Sequence, residues 1–462
     1  MTSGLQTPRG ARHTGVLTDR RLLLGVIVLL AVVCRIVGLG DRLTADEGYS
    51  WLVASAPDPG AFFDRLAMYE NTPPLFYALL APLPLDDEVW IRLPAVVAGV
   101  AAVPVLYAIV RPLVGTRAAL LAALGLAVAP LHVAFSNYAR GFTLAGLGSL
   151  LALWAVARLA QGAPRRWWWL YALGAALAVY SEYYAPLFLL PLLGVLLALR
   201  VCPWREVMAL GIAPMLLIAA WLPELSRSLD FEGETKIAPR FPGASPATVR
   251  DVVVSLFFGE DGASAAVGLR LLLFAGLVAA LATAVVLLRR RAAREPGARI
   301  LVWLAGGTAV GALLLHALSP LADLGVFEQR YLTGLIPLGA ALLAAGVDSL
   351  PWRPAVPLVA VALLGVGAAV VIQRYDRETE PDYGRVETII RRAEIRRVLT
   401  NSAVAAYYLD DLDTTLDRPF NLGAGREAST KRPYAVVDEA WRARPGPGRR
   451  TDVGAVAVRI VR

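Results

Sequence analysis

Apolar runs close to 20 residues long recur along most of this chain. The first, RRLLLGVIVLLAVVCRIVGLG, occupies residues 20–40, and comparable runs return until about residue 372. A run of that length crosses a hydrocarbon core of ~30 Å as a helix. Lipid accepts only helices and closed barrels, because every backbone polar group must be satisfied from within. The 462-residue chain is 57% hydrophobic, and it lacks the regular polar alternation of a soluble protein of this size. The predicted fold class is an all-α polytopic membrane protein, followed by a small soluble α/β domain.

Charge orients the spans. The net charge of +8 comes almost wholly from Arg, since Lys stands only at 236 and 431. The arginines cluster in short loops, the signature of segments retained on the cytoplasmic side. The charge therefore speaks for membrane orientation, and no nucleic-acid partner is expected. Residues 1–21 read as a cytoplasmic tail. Spans are predicted at about 22–39, 90–110, 118–134, 142–160, 167–180, 185–199, 206–222, 266–288, 300–318, 331–347 and 354–372, which makes about eleven in a unit covering 22–372. Arg111 and Arg117, Arg165 and Arg166, Arg200 and Arg205, and RRRAAR at 289–294 all fall inside. The first outer loop, about 40–90, is acidic and holds NTPPLFYALLAPLPL, read as a helix lying on the outer leaflet. No cleavage pattern precedes the first run, which is expected to stay as a span. Cys34 and Cys202 fall on opposite sides, so no disulfide is expected. From 373 to 462 the pattern becomes helix, short strand, helix, then the strands PYAVVDEAW and GAVAVRIVR with RPGPGRR as the loop between them. This domain is placed on the outer side.

The informative polar residues gather on that outer side. Asp46 and Glu47 follow the first span in DRLTADEGYSW, and Glu70 precedes Pro73-Pro74. Tyr138 and Arg140 follow the third span, Glu182 and Tyr183 the fifth, and Glu328, Arg330 and Tyr331 precede the tenth. Carboxylates at a membrane boundary are costly to desolvate unless they pair, bind a metal or do chemistry. One of them can act as general base for a hydroxyl, and Arg can hold a phosphate through charge-assisted bonds. Plainer roles exist for each. Acidic residues cap helices, arginines snorkel to headgroups, and Tyr183 with Tyr184 suits an interface belt. His132 and His316 lack ligand spacing and make a weak metal signal. A transporter or flippase for a lipid-linked saccharide is the rival class. It would place polar groups at the bilayer midplane, whereas these lie at one face. A non-catalytic assembly protein of the same fold is the other alternative.

The order of these clusters resembles the GT-C superfamily of polyprenyl-phosphate-sugar-dependent glycosyltransferases, and most of all family 39, with its protein O-mannosyltransferases and lipid A aminoarabinose transferases. The segments that carry it are ADEGYSWLVAS, NTPPLFYALL about 25 residues later, IRLPAVVAGVAAVPVLYAIVRPLVG, AALLAALGLAVAPLHVAFSNYARGFTLAGLGSLLALW and FEQRYLTGLIPLGAALLAAGV. The resemblance implies transfer of a sugar from a polyprenyl-phosphate donor to a hydroxyl of a lipid, glycan or protein, at the outer face of a bacterial inner membrane. It implies Asp46 as catalytic base and Glu47 as its partner or a metal ligand. Arg140, Arg330 and Tyr331 become donor-phosphate contacts, with Glu70, Tyr138, Glu182 and Tyr183 as acceptor or metal candidates. A divalent cation is a possible cofactor. The chain departs from the family pattern in three places. Gly141-Phe142-Thr143-Leu144 carries no second acid, Glu70 is offset by one residue, and Glu182 stands where a His is common.

Overall fold

The alanine- and leucine-rich runs close into helices, and the expected spans overlap them, the one at 206–222 reaching beyond the described residues. A computed structural model describes residues 20–70, 72–219, 245–318, 329–375, 383–400, 402–409, 411–416, 433–439, 449–453 and 456–461. Its helices are α1 (Arg20–Ile36), α2 (Ala45–Ala54), α3 (Pro59–Tyr69), α4 (Leu75–Leu80), α5 (Glu88–Val114), α6 (Thr116–Val128), α7 (Pro130–Ser136), α8 (Phe142–Ala160) and α9 (Trp167–Ser181). There follow α10 (Pro186–Ala198), α11 (Trp204–Ala219), α12 (Pro246–Ser264), α13 (Val267–Ala292), α14 (Pro296–Leu318, with a π turn at Val302–Gly307), α15 (Leu335–Asp348) and α16 (Ala355–Tyr375).

Among the described residues, five helices are long and apolar enough to cross a membrane, or six if the bent pair α6–α7 is one span. The expected count is about eleven; of the remaining helices, α10 and α15 are shorter apolar helices. The span predicted at 118–134 is broken by 58° between Val128 and Pro130. Pro130 supplies no N–H and cannot continue the ladder of the preceding helix. The freed groups find a partner in Arg35, which is buried in α1. Its guanidinium donates to Ala127 O at 3.0 Å and to Ser136 Oγ at 3.0 Å, and meets His132 Nδ1 at 2.7 Å. Irregular backbone at membrane depth needs protein partners of this kind.

Helices α5 and α8 lie at the centre, and α13 and α16 form the rim, where only 17% of the apolar window is buried. Leu272 and Val361, at 72% and 66% exposure, present an apolar surface suited to lipid. The α8–α9 contact is backbone on backbone. A Cβ on Gly148 would meet Gly174 O at 2.6 Å, and one on Gly174 would meet Gly148 O at 2.5 Å, the close approach that small residues permit between membrane helices. At the far end of α5, Arg291 bonds Val114 O at 3.1 Å and pairs with Asp348 at 3.3 Å. With 27 residues, α5 puts that basic end about 40 Å from its Glu88 start.

The stretch 40–90 is not one surface helix. It folds into α2, α3 and α4, and NTPPLFYALLAPLPL supplies only the six residues of α4. Phe76, Tyr77 and Leu80 of α4 are buried against protein, because the Pro pair leaves too little helix to float on a leaflet.

The C-terminal domain carries α17 (Tyr383–Arg392), β1 (Arg397–Thr400), α18 (Ala403–Tyr408), β2 (Asp413–Leu416), β3 (Tyr434–Glu439), β4 (Arg449–Val453) and β5 (Val456–Val461). The sheet order is β2-β1-β3-β5-β4, with β1 parallel to β2 and β3, and β5 antiparallel to β3 and β4. Two details correct the sequence reading. A second short strand, β2 at DTTL, follows the second helix where the sequence reading has none, and the last two residues of RPGPGRR begin β4, which pairs with β5. Both segments are short, and pairing with neighbours settles their state.

Candidate active site

Helix α2 is the scaffold of the site. Thr44 caps it, its hydroxyl accepting from Glu47 N while Glu47 accepts from Thr44 N, a capping box. At 3.6 residues per turn its side chains divide among different faces. Glu47 and Ser50 point into the bundle, where Glu47 is 0% exposed. Arg92, two residues into the apolar face of α5, grips Glu47 with Nε on Oε1 at 2.7 Å and Nη2 on Oε2 at 2.8 Å. The same guanidinium donates to the carbonyls of Leu39 and Arg42, at 2.8 and 3.0 Å. Glu47 also accepts from Ala139 N at 3.0 Å, and Ser50 Oγ donates to Ala139 O at 2.7 Å. Both oxygens of Glu47 are thereby saturated by protein donors.

Asp46 faces the other way. Its side chain keeps 39% exposure, and Tyr138 Oη donates to Oδ2 at 2.9 Å. Arg140 stands 3.7 Å from Oδ1 and Arg330 3.8 Å from Oδ2. Partial burial pushes the Asp46 carboxyl up, but Arg140, the Tyr138 hydroxyl and Arg330 outweigh it and hold the group below its usual range. Asp46 is thus an ionised carboxylate open to the solvent side and flanked by cations. Burial and the nearby Asp46 charge act the other way on the Tyr138 hydroxyl, which is raised and stays a donor.

Arg140 is shared. It donates to Glu70 and, at 2.9 Å, to Tyr77 Oη. Burial raises the Glu70 carboxyl although Arg140 pulls it down. Behind the loop, Asn137 Nδ2 donates to Val37 O at 3.0 Å, so residues 137–140 are pinned to the end of α1.

On the side of Asp46 where Arg330 stands opens a cleft. Phe142, Tyr184 and Tyr331 form aromatic walls, and Glu182, Arg330 and His316 bring polar groups. The Tyr331 and Tyr184 rings lie 4.3 Å apart, and the Arg330 guanidinium sits 5.2 Å over the Tyr331 ring. Burial lifts Glu182 to about 7, although the backbone N–H of Tyr184, Arg330, Arg140 and the N–H of Tyr183 all pull it down. Tyr183 takes part through that backbone group.

The structure brings together Asp46, Tyr138, Arg140, Glu70 and Arg330, with Glu182 and Tyr331 in the adjoining cleft. Glu328 lies outside the described residues. The reading of 46–47 as one acidic pair gives way to a division of labour, because consecutive helical residues point about 100° apart. Arg92 was missed by sequence reasoning. Its only signal was a charge just inside an apolar run, which by itself suggests a buried partner. Among the described residues no three His, Cys, Asp or Glu side chains converge as a metal site. Asp46 and Glu70 instead flank a single guanidinium, that of Arg140, and this donor set does not fit a divalent cation.

A helical bundle with short helices before its second span, a charged cleft at one end and a small α/β domain beside it has the GT-C fold. Residues 72–226 match the family model described as dolichyl-phosphate-mannose-protein mannosyltransferase. Apo ArnT from Cupriavidus metallidurans superposes with a TM-score of 0.68 at 16% identity, covering 96% of this chain and 98% of its own. ArnT bound to undecaprenyl phosphate gives 0.65 at 16%, covering 95% and 97%. The archaeal oligosaccharyltransferase AglB from Archaeoglobus fulgidus, in complex with an inhibitory peptide and a dolichol-phosphate, gives 0.53 at 12%, covering 92% and 70%. No curated protein matches the sequence.

Proposed function

We propose that this protein is an integral-membrane glycosyltransferase that moves a sugar from a polyprenyl-phosphate donor to a hydroxyl of a lipid, glycan or protein. The observation that carries the reading is Asp46, ionised and partly exposed between two arginines, one of which, Arg330, lines the adjoining cleft. The solved relatives with bound undecaprenyl phosphate and dolichol-phosphate support the donor class. The site and the C-terminal domain face outward from a bacterial inner membrane. The basic cluster around Arg291, a helix length away, supports that orientation.

In the reaction the acceptor oxygen attacks the anomeric carbon while the bond from that carbon to the phosphate oxygen breaks. The polyprenyl phosphate leaves with the bonding electrons, and the hydroxyl proton passes to Asp46. Direct attack inverts the anomeric centre. A carboxylate held ionised is a weak base toward a resting alcohol. It takes the proton only as the new C–O bond forms and the hydroxyl becomes acidic. The phosphate is a competent leaving group, so positioning and stabilisation of its growing charge dominate. Arg330, with 27% of its side chain exposed, supplies that stabilisation, and Arg140 orients Asp46. This route assigns no step to a divalent cation.

The test is release of polyprenyl phosphate from a synthetic polyprenyl-phosphate sugar by the purified protein. Arg330→Ala should weaken donor binding by about 1.5–3 kcal/mol, the range of a charge-assisted hydrogen bond. Arg330→Lys should recover only part, since a point charge cannot replace the planar fork. Unaltered donor KM in both variants would reduce Arg330 to an interface anchor.

Glu182 gives a pH signature. Its raised pKa of about 7 keeps the carboxyl neutral below that pH and anionic above. An anion beside the incoming phosphate opposes binding, so donor KM should climb as pH rises through about 7. In Glu182→Gln the same profile should be flat. A wild-type profile already flat through this range would remove Glu182 from the donor's surroundings.

A further inference from the structure

The remaining face of α2 is covered by the C-terminal domain. Gly48 and Trp51, three residues apart on one side of the helix, meet α18. A Cβ on Gly48 would lie 2.7 Å from the backbone N of Val404 and 3.0 Å from the carbonyl carbon of Ala403, so the two helices touch through their backbones. The Trp51 ring stands edge-on to Tyr407 at 5.3 Å. Tyr408 closes the contact. Its hydroxyl accepts from Leu43 N at 2.9 Å and donates to Glu88 Oε1 at 2.8 Å. One phenol therefore ties the residue before the Thr44 cap to the first residue of α5. Its ring stacks on Tyr383 of α17 at 5.0 Å, which anchors it in its own domain.

We infer that the C-terminal domain is a positioning element for Asp46, with Gly48 and Tyr408 as its positioning residues. Without it α2 is a helix of ten residues, shorter than the length at which isolated helices persist in water. Arg92 holds it from below by Glu47, and α18 fixes it from above, two residues from the carboxylate that pairs with the cleft residue Arg330. Neither Gly48 nor Tyr408 lines the cleft, so their influence on transfer passes through the placement of α2. The inference rests on the reading of Asp46 as the base.

The experiment compares wild type, Gly48→Ala, Tyr408→Phe, Asp46→Asn and Gly25→Ala. A Cβ at Gly25 meets nothing within 4 Å, and that variant serves as control. Each full-length protein is assayed for kcat and donor KM with a synthetic polyprenyl-phosphate sugar, and for amide exchange across residues 45–54. Tyr408→Phe removes one oxygen and keeps the ring, so it should fold even if Gly48→Ala does not. The expected result is faster exchange in α2 and a kcat at least ~10-fold lower, within the ~10²-fold that a misplacement of about 1 Å can cost, with donor KM unchanged. The control should match wild type. Unchanged exchange and unchanged kcat in Tyr408→Phe would overturn the inference. So would a loss confined to donor KM, since that would make the domain part of the donor site. If α2 exchange rises while Asp46→Asn remains fully active, the clamp stands and the assignment of Asp46 fails.

Discussion

Asp46→Asn should lower transfer by at least ~10²-fold, the usual range for general-base help, while insertion, folding and donor binding survive. Asparagine keeps the shape of the side chain and can still accept from Tyr138, which donates to Asp46 at 2.9 Å, but it cannot take a proton. Asp46 is only half-buried, and its two arginines stand at 3.7 and 3.8 Å, beyond good hydrogen-bond length. Neutralising it leaves no tightly paired cation stranded, so the stability cost should stay small. Loss of its negative charge should also free Arg140 and Arg330 for the donor phosphate, so donor KM should stay constant or fall. A fall in kcat with constant or lower KM is the mark of an interaction made in the transition state. The measurement is turnover of a synthetic polyprenyl-phosphate sugar by the purified variant. Near-wild-type turnover would take Asp46 out of the mechanism and turn attention to Glu70 and Glu182, two buried acids at this end of the bundle.

The fold and the outline of the site were legible because membrane helices announce themselves through length and composition alone. The helices fell where the apolar runs lie, and the capping box around Thr44 and Glu47 is a local pattern that needs no tertiary information. Other features depended on contacts across long sequence distances. Arg92 meets Glu47 across 45 residues and Tyr408 meets Leu43 across 365, and neither spacing leaves a mark in a single sequence. The broken span at Pro130 was readable only in part. Proline predicts a break, but the destination of the freed polar groups, Arg35 in α1, is a tertiary fact. Asp46 and Glu47 show the same limit. Adjacent letters invite one role, and the helix turns them to opposite environments.

Arg92→Ala should destabilise the protein by about 3–5 kcal/mol, the cost of removing one partner from a buried ion pair. The pair is dry on both sides, with side-chain exposures of 4% for Arg92 and 0% for Glu47. Truncating Arg92 strands the Glu47 carboxylate and leaves the carbonyls of Leu39, Asp41 and Arg42 without their shared donor. Glu47→Gln should also be costly, because one amide nitrogen would then face Arg92 or the N–H of Thr44 or Ala139, donor against donor. Removing both charges together should not restore wild-type stability, since Thr44 N and Ala139 N bond different oxygens of Glu47 and a glutamine there keeps an acceptor for only one of them. This departs from the ordinary buried pair, where an apolar replacement of similar volume is often neutral. The measurement is a double-mutant cycle on unfolding in detergent, with a positive coupling between the two sites. If Arg92→Ala unfolds like wild type, the pair does not hold α2. If it unfolds early but keeps wild-type turnover per folded molecule, Glu47 is structural support alone, and the exact seat of α2 matters less to the chemistry than the geometry around Asp46 implies.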